Sequence, residues 1–278
     1  MSKKLLSLYG LKFNPFSPEI PTDSVCPTRR TESFCVRVEN LASEGGFALI
    51  TGDPGTGKSV TLRLLSKRLG AIRDLCVGVL SRPQSGVPDM YRELGHLFGA
   101  SLKPSNRWES SRVLRDKWRA HMQAALLRPV LLVDEAQEMW PAVLSELRLL
   151  CSADLDSRHL LTVVLCGDRR LTDRLGEPEL LPLGSRIRTR LVTEALSSQE
   201  LQEHLKHVLA QAGAPHLITT PLMHTLCEHA LGNLRVLMNL AFELLAAAAE
   251  REAPQLDEKL FFEVLAPTPK TRKTPRDK

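Results

Sequence analysis

The chain has 278 residues, 43% of them hydrophobic and 5% aromatic, and carries a formal net charge of +5. That length and apolar content support one large α/β domain with a smaller helical one, and no stretch approaches the ~18 uncharged apolar residues of a membrane-spanning helix. Met1-Ser2-Lys3-Lys4-Leu5-Leu6 opens like a secretion signal, but Leu11-Lys12-Phe13-Asn14-Pro15 ends the apolar stretch too early. A cytoplasmic protein without a membrane segment is expected.

Residues 1–45 read as an N-terminal strap and a first helix, with helical periodicity over Thr31–Ala42. The apolar run Phe47-Ala48-Leu49-Ile50 marks a buried strand at 46–51, followed directly by Gly52-Asp53-Pro54-Gly55-Thr56-Gly57-Lys58-Ser59. This segment fits GxxxxGK[ST] in the context phosphate binding requires: strand, Gly-rich turn, then a helical pattern from Ser59 through Leu69. Glycines let the backbone wrap closely, so that several N–H groups and the helix N-terminus point at one polyphosphate. Lys58 would reach the β- and γ-phosphates of ATP, and the Ser59 hydroxyl would sit on Mg²⁺.

A strand at 75–81 is followed by an additional amphipathic helix near 87–98, with Met90, Tyr91, Leu94, Leu97 and Phe98 on one face. A helix at 109–127 leads into the apolar run Pro129-Val130-Leu131-Leu132-Val133, which ends in Asp134-Glu135-Ala136-Gln137. Such a run is what a central parallel strand looks like, and acids at its carboxyl end fall where open α/β sheets place their ligand crevice. Asp134 would hold the Mg²⁺ water shell, and Glu135 would polarise the attacking water. The alternative is that both acids only cap the next helix.

A helix at 141–151, a strand at 160–166, a short helix at 169–175 and a strand near 189–195 complete the core, residues 46–196. Alternating strand and helix implies an α/β fold, a three-layer parallel-sheet sandwich. From Ser197 only helical patterns remain, at 197–212, 219–230, 233–250 and 256–265, an all-helical lid. Residues 266–278 form a Pro-, Thr- and Lys-rich tail expected to be disordered. The six cysteines show no CxxC pairing and are expected as buried, reduced thiols in strands and helices.

Together these residues resemble the AAA+ ATPases. More closely, the chain is similar to the family of ExeA/GspA-type ATPases and the transposition helpers TnsC, TniB, IstB and MuB, over about residues 5–265. Tyr9-Gly10-Leu11 and Asn14-Pro15-Phe16 are similar to the ExeA-type opening, which lies near the adenine; Phe13 and Phe16 could equally anchor the strap to the core. Ser185-Arg186-Ile187 looks like the box carrying an arginine finger that acts in trans, with Arg188 as the second candidate and a surface ion pair as the bland alternative. Gly232 through Asn239 resembles the start of the sensor-2 helix, where Asn233 would cap and Arg235 would reach the phosphates. At the sensor-1 position the family has a neutral polar residue; here the candidates are Asp168 and Gly167, and Asp168 could instead cap the helix at 169–175.

The helix near 87–98 resembles the insertion that initiator-type members use to follow nucleic acid backbones. Its flanking loops carry Arg82 and Gln84 on one side and Lys103, Asn106 and Arg107 on the other, suited to phosphate contacts with double-stranded DNA. Arg112, Arg115 and Arg119 form a stripe on the next helix, either DNA-facing or a solvated or intersubunit surface. The opposite face, Leu114, Trp118, His121, Met122 and Ala125, should pack inward, while Trp108 could pack or stack. The tail adds Lys270, Arg272, Lys273, Arg276 and Lys278 against Asp277.

The resemblance implies a homo-oligomer, ring or helical filament, that assembles on DNA with ATP, engages a transposase or integrase, and disassembles on hydrolysis. Two alternatives are a DNA-remodelling or helicase-loading factor and an ExeA-type secretion ATPase. Full-length ExeA-type proteins continue into a membrane span and a cell-wall-binding domain, which are expected to be absent here.

Overall fold

The computed structural model describes residues 3–124 and 127–265; the basic tail and Ala125 lie outside the described residues. The chain opens with a short helix not expected from its sequence, α1 (Lys3–Leu8). The α/β unit spans Pro27–Ala195. It contains α2 (Arg29–Glu44), β1 (Gly46–Gly52), α3 (Lys58–Gly70), β2 (Leu75–Leu80), α4 (Val87–Leu97) and α5 (Arg107–Gln123). These are followed by β3 (Arg128–Val133), α6 (Pro141–Cys151), β4 (Ser152–Ala153), β5 (Arg158–His159), β6 (Thr162–Gly167), α7 (Arg169–Gly176), α8 (Leu181–Gly184) and β7 (Ile187–Thr193).

Five strands form one parallel sheet in the order β2-β3-β6-β1-β7. Side-chain alternation sorts the strand residues into two layers. Ala48, Ile50, Val130, Leu132, Val164 and Cys166 meet α2 and α3 through Phe34, Val38, Leu62 and Leu65. Phe47, Leu49, Leu131, Val133, Val163 and Leu165 face α4, α5 and α6 through Tyr91, Leu94, Trp118 and Leu147. Strands covered on both sides must be apolar throughout, which is why β1, β3 and β6 read as unbroken runs. The edge strand β7 instead alternates, with Ile187, Thr189 and Leu191 inward and Arg188, Arg190 and Val192 outward.

The remaining unit joins the described parts of Met1–Cys26 and Leu196–Lys278. Its helices are α9 (Ser198–Ala212), α10 (Thr220–Ala230), α11 (Leu234–Glu250) and α12 (Glu258–Leu265). Ser197 and Glu200 close a capping box on α9, and Thr219 and Asn233 cap α10 and α11. Leu11 and Phe16 are buried in this unit with Leu201, Leu205 and Leu209, and the Tyr9 hydroxyl donates to the Ala253 carbonyl at 2.9 Å. The N-terminal aromatics are thus anchored to helices rather than to the sheet.

Several expectations need correction. The segment between α6 and β6 folds into the β4–β5 hairpin, whose tip places Asp154, Leu155 and Asp156 at φ of 50, 57 and 68°. Two-residue strands carry no readable periodicity. β7 starts at Ile187, earlier than 189, because its alternating pattern resembles a polar loop. Cys26 is exposed in an extended segment before Pro27, and Cys76 is only half-buried; the other four cysteines are buried, and all six are free. Among the described residues no helix is long and apolar enough to cross a membrane.

Candidate nucleotide-binding site

β1 ends at Gly52, where a Cβ would lie 2.1 Å from Thr193 Oγ1 and 2.4 Å from the Thr193 carbonyl. Only a glycine lets the end of β1 run this close to the end of β7. The loop then turns through Gly55 and Gly57 at φ of 85 and 94°, left-handed conformations that glycine adopts without a Cβ clash. Thr56 Oγ1 donates to the Asp53 carbonyl at 2.7 Å and lies 2.7 Å from Thr193 Oγ1, pinning the loop to β7. Lys58, 7% exposed, folds its Nζ onto the Asp53 carbonyl at 3.0 Å. Gly57 immediately precedes α3, so the loop leads straight into the helix N-terminus. The Asp53 carboxylate is held by Arg169 at 2.8 Å, a partner not anticipated from the sequence.

Asp134 and Glu135 follow β3, with β6 between that strand and β1. Asp134 Oδ1 accepts the Glu135 N–H at 3.0 Å, and Glu135 sits in the left-handed region at φ 51°. Neither side chain caps a helix: Glu135 makes no side-chain cap bond to the turn after it, and Trp140, the residue before α6, makes none either. The capping alternative therefore has no geometric support. Burial, with the Asp134 carboxylate beside it, pushes the Cys166 thiol up, so this cysteine stays protonated against the acid. Lys58 and Asp134 both act electrostatically on Cys166 at the end of β6, and a cation beside hard oxygen donors is a set suited to a triphosphate with Mg²⁺.

Asp168 does not offer a neutral polar side chain. Its Oδ1 accepts the Arg170 N–H at 2.9 Å, capping α7, and Arg170 pairs with its carboxylate at 2.8 Å. The hydrogen bond from the Arg170 guanidinium holds the Asp168 carboxyl below the usual range. Gly167 has no side chain to offer. Arg186, directly before β7, is engaged within its own chain: Nη2 pairs with Asp156 Oδ2 at 2.6 Å, and Nη1 donates to the Pro182 carbonyl. Arg188 lies on the outward face of β7 and pairs with Glu44 at 2.8 Å. Arg235 is exposed in the first turn of α11, its N–H donated to Asn233 Oδ1 at 3.0 Å.

The loops around α4 divide. Arg82 is exposed, with no ion pair among the described residues; the Gln84 carbonyl accepts from Trp140 Nε1 at 3.0 Å. Lys103 reaches Glu109 at 3.3 Å across the surface, and such pairs contribute little. Asn106 instead caps α5, accepting the Glu109 N–H at 3.1 Å. The Arg107 guanidinium is committed to Glu146, which is buried and also accepts from the Tyr91 hydroxyl. This cluster ties α4 and α5 to α6. Arg107→Ala would leave a buried carboxylate short of its cation and should cost about 1–3 kcal/mol; Lys103→Ala should stay within about 0.5 kcal/mol. Urea unfolding of both variants measures the difference.

The arginine stripe on α5 is also occupied. Arg112 lies 4.8 Å over the Trp108 ring, Arg115 donates to the Ser152 carbonyl at 2.8 Å, and Arg119 approaches Asp154 at 3.6 Å. Trp108 is exposed, whereas Trp118 is buried edge-on against Phe98 at 5.4 Å. Met122 packs against the same core cluster, and His121 is half-buried.

Residues 40–175 match the family model of the AAA domain. The fold is that of the AAA+ ATPases. Cdc6p of Pyrobaculum aerophilum superimposes with a TM-score of 0.69 at 16% identity, over 91% of this chain and 71% of that one. Drosophila ORC in a DNA-bound structure gives 0.65 at 19% identity, over 95% and 66%. The RuvB Holliday junction branch migration motor of Thermotoga maritima gives 0.57 at 15% identity, over 90% and 72%. At these identities the likeness is one of AAA+ fold alone. General secretion pathway protein A of Aeromonas hydrophila is 31% identical over 245 residues, 87% of this chain and 44% of that protein. The chain therefore spans less than half the length of this curated relative, a similarity that supports the ExeA/GspA side of the sequence resemblance.

Proposed function

We propose that the protein is an Mg²⁺-dependent ATPase that assembles from copies of itself on double-stranded DNA and, in that state, recruits or activates a transposase or integrase in the cytoplasm. The observation carrying the hydrolytic part is the Asp134–Glu135 pair that follows β3, in the same parallel sheet whose β1 runs into the loop Gly52–Ser59. Bound Mg-ATP would supply the reactive γ-phosphoryl group and the charge that steadies its oxygens. Lys58 and the loop amides would hold the phosphates, Ser59 and Asp134 the metal, and Glu135 would take the proton of the attacking water. Arg235 of the helical unit and Arg186 of a second copy would neutralise charge in the transition state, whether the assembly is a ring or a helical filament. Arg186 is favoured over Arg188 because it precedes β7, while Arg188 belongs to the strand.

DNA binding is supported by exposed Arg82, Gln84 and Lys103 on the two loops flanking α4, and by neighbours of the same fold whose structures hold DNA. Arg107 and Asn106 have work inside the chain, so Arg82 and Lys103 are the residues to vary. With nucleotide present, the logarithm of duplex affinity should fall linearly with log salt, and Arg82→Ala/Lys103→Ala should reduce that slope by about two. Fluorescence anisotropy on labelled duplex reads both. No binding even at low salt would remove the DNA reading. It would leave the secretion reading, which the 31% identity to General secretion pathway protein A favours. Loading or remodelling of DNA, favoured by the Cdc6p and ORC likeness in fold, shares the DNA result and differs in needing no recombinase. The choice of a transposase as partner rests on the sequence resemblance.

A further inference from the structure

β6 ends in Cys166-Gly167, so no polar side chain of its own projects from the strand tip toward Glu135, and Asp168 is spent on Arg170 and the α7 cap. A neutral polar group nevertheless stands there. Gln137, 6% exposed in the turn after Glu135, donates from Nε2 to Glu135 Oε2, and its Oε1 accepts the Asp168 N–H at 3.2 Å. The orientation of the amide follows from its partners: a backbone N–H can only donate and an ionised carboxylate can only accept. A Cβ on residue 167 would lie 2.5 Å from Gln137 Oε1 and 2.9 Å from Leu171 Cδ2, so a side chain at the strand tip would displace the amide from this position. The turn is fixed further by Arg174, which donates to the Gln137 carbonyl and, at 2.7 Å, to the Met139 carbonyl.

We propose that Gln137 is a positioning residue for Glu135, supplying from the β3 turn the neutral amide that β6 lacks and tying the reactive carboxylate to the tip of β6. An amide suits this task. It fixes one carboxylate oxygen and leaves the other to face water, and it adds no cation that would weaken Glu135 as a base. The tether also reaches the phosphate loop. The residue after Asp168 is Arg169, whose guanidinium holds the Asp53 carboxylate at 2.8 Å. A change in the loop on nucleotide binding can thus be passed through Arg169, the Asp168 N–H and the Gln137 amide to Glu135.

This inference rests on the hydrolytic reading, and the experiment separates the two. Wild type, Gln137→Met and Gln137→Glu are compared for fluorescent-nucleotide affinity, thermal midpoint, and the kcat and KM of phosphate release. Gln137→Met keeps the length and loses the hydrogen bonds; turnover should fall about 10- to 100-fold with nucleotide affinity held within about threefold. Gln137→Glu keeps the size but, ionised, cannot donate a hydrogen bond to Glu135, so kcat should fall about as far as in Gln137→Met while KM for ATP stays within about threefold. A purely structural role would lower the thermal midpoint and nucleotide affinity together with turnover. Unchanged turnover in Gln137→Met or in Gln137→Glu, or a loss of nucleotide affinity equal to the loss of turnover, overturns the assignment. A wild type that binds nucleotide and never turns over overturns the hydrolytic reading itself, and this one with it.

Discussion

Glu135→Gln is expected to abolish turnover while nucleotide binding survives, with hydrolysis falling by about 10²- to 10⁴-fold. The substitution keeps the size and hydrogen-bonding reach of the side chain, so the left-handed turn at residue 135 and its contact with the Gln137 amide can persist. What it removes is the ability to accept a proton near neutral pH. Lys58, Ser59 and Asp134 are untouched, and these are the groups proposed to hold phosphate and metal. The variant should therefore accumulate in the nucleotide-bound, assembled state. Phosphate release and fluorescent-nucleotide titration measure the two halves separately, and sedimentation reports the assembly. Wild-type rates in this variant would remove Glu135 as the activating group. A loss of affinity equal to the loss of rate would mean that the carboxylate holds ligand and does not activate water. Because the Glu135 side chain caps no helix, reduced folding stability is not the expected explanation for any loss.

The sequence made these two groups visible for different physical reasons. Gly52–Ser59 is one continuous segment whose chemistry depends on backbone shape, and backbone shape is dictated locally by glycine. Asp134 and Glu135 follow an apolar run that only a doubly covered strand needs. The same logic made β1, β3 and β6 legible, and obscured β7, whose outward face carries arginines. Contacts joining distant segments were not legible. Gln137 was in view beside Glu135, yet its meaning depends on Gly167 and the Asp168 amide, thirty or so residues on. Arg107 and Asn106 had the residue types of phosphate ligands. Their partners, buried Glu146 on α6 and the first turn of α5, emerge only when the helices pack. The strand order, with β6 inserted between β3 and β1, is likewise a property of the crossovers and leaves no mark in any one strand.

Arg186→Ala should reduce assembled turnover by about 10³- to 10⁵-fold, the range a trans guanidinium supplies in related phosphoryl transfers. In the structure this guanidinium is bound to Asp156 at the tip of the β4–β5 hairpin and to the Pro182 carbonyl. Its Asp156 partner is held below the usual carboxylate range chiefly by that hydrogen bond. Two explanations for a loss of activity are then in competition: a missing charge at a neighbour's nucleotide, or a loosened hairpin. Mixing decides between them. An Arg186→Ala subunit has an intact Glu135, and a Glu135→Gln subunit has an intact Arg186. With random mixing in equal amounts, about one interface in four pairs the two good halves. Two inactive preparations should therefore yield activity together, greatest near equal ratio. Asp156→Asn supplies the second arm, because it weakens the hairpin contact while leaving Arg186 free to reach outward. Under the trans assignment it keeps most of its turnover; under the structural one it fails as Arg186→Ala does, and no mixture recovers. Silence at every mixing ratio, with both subunits shown to co-assemble, would exclude Arg186 as the group acting across the interface.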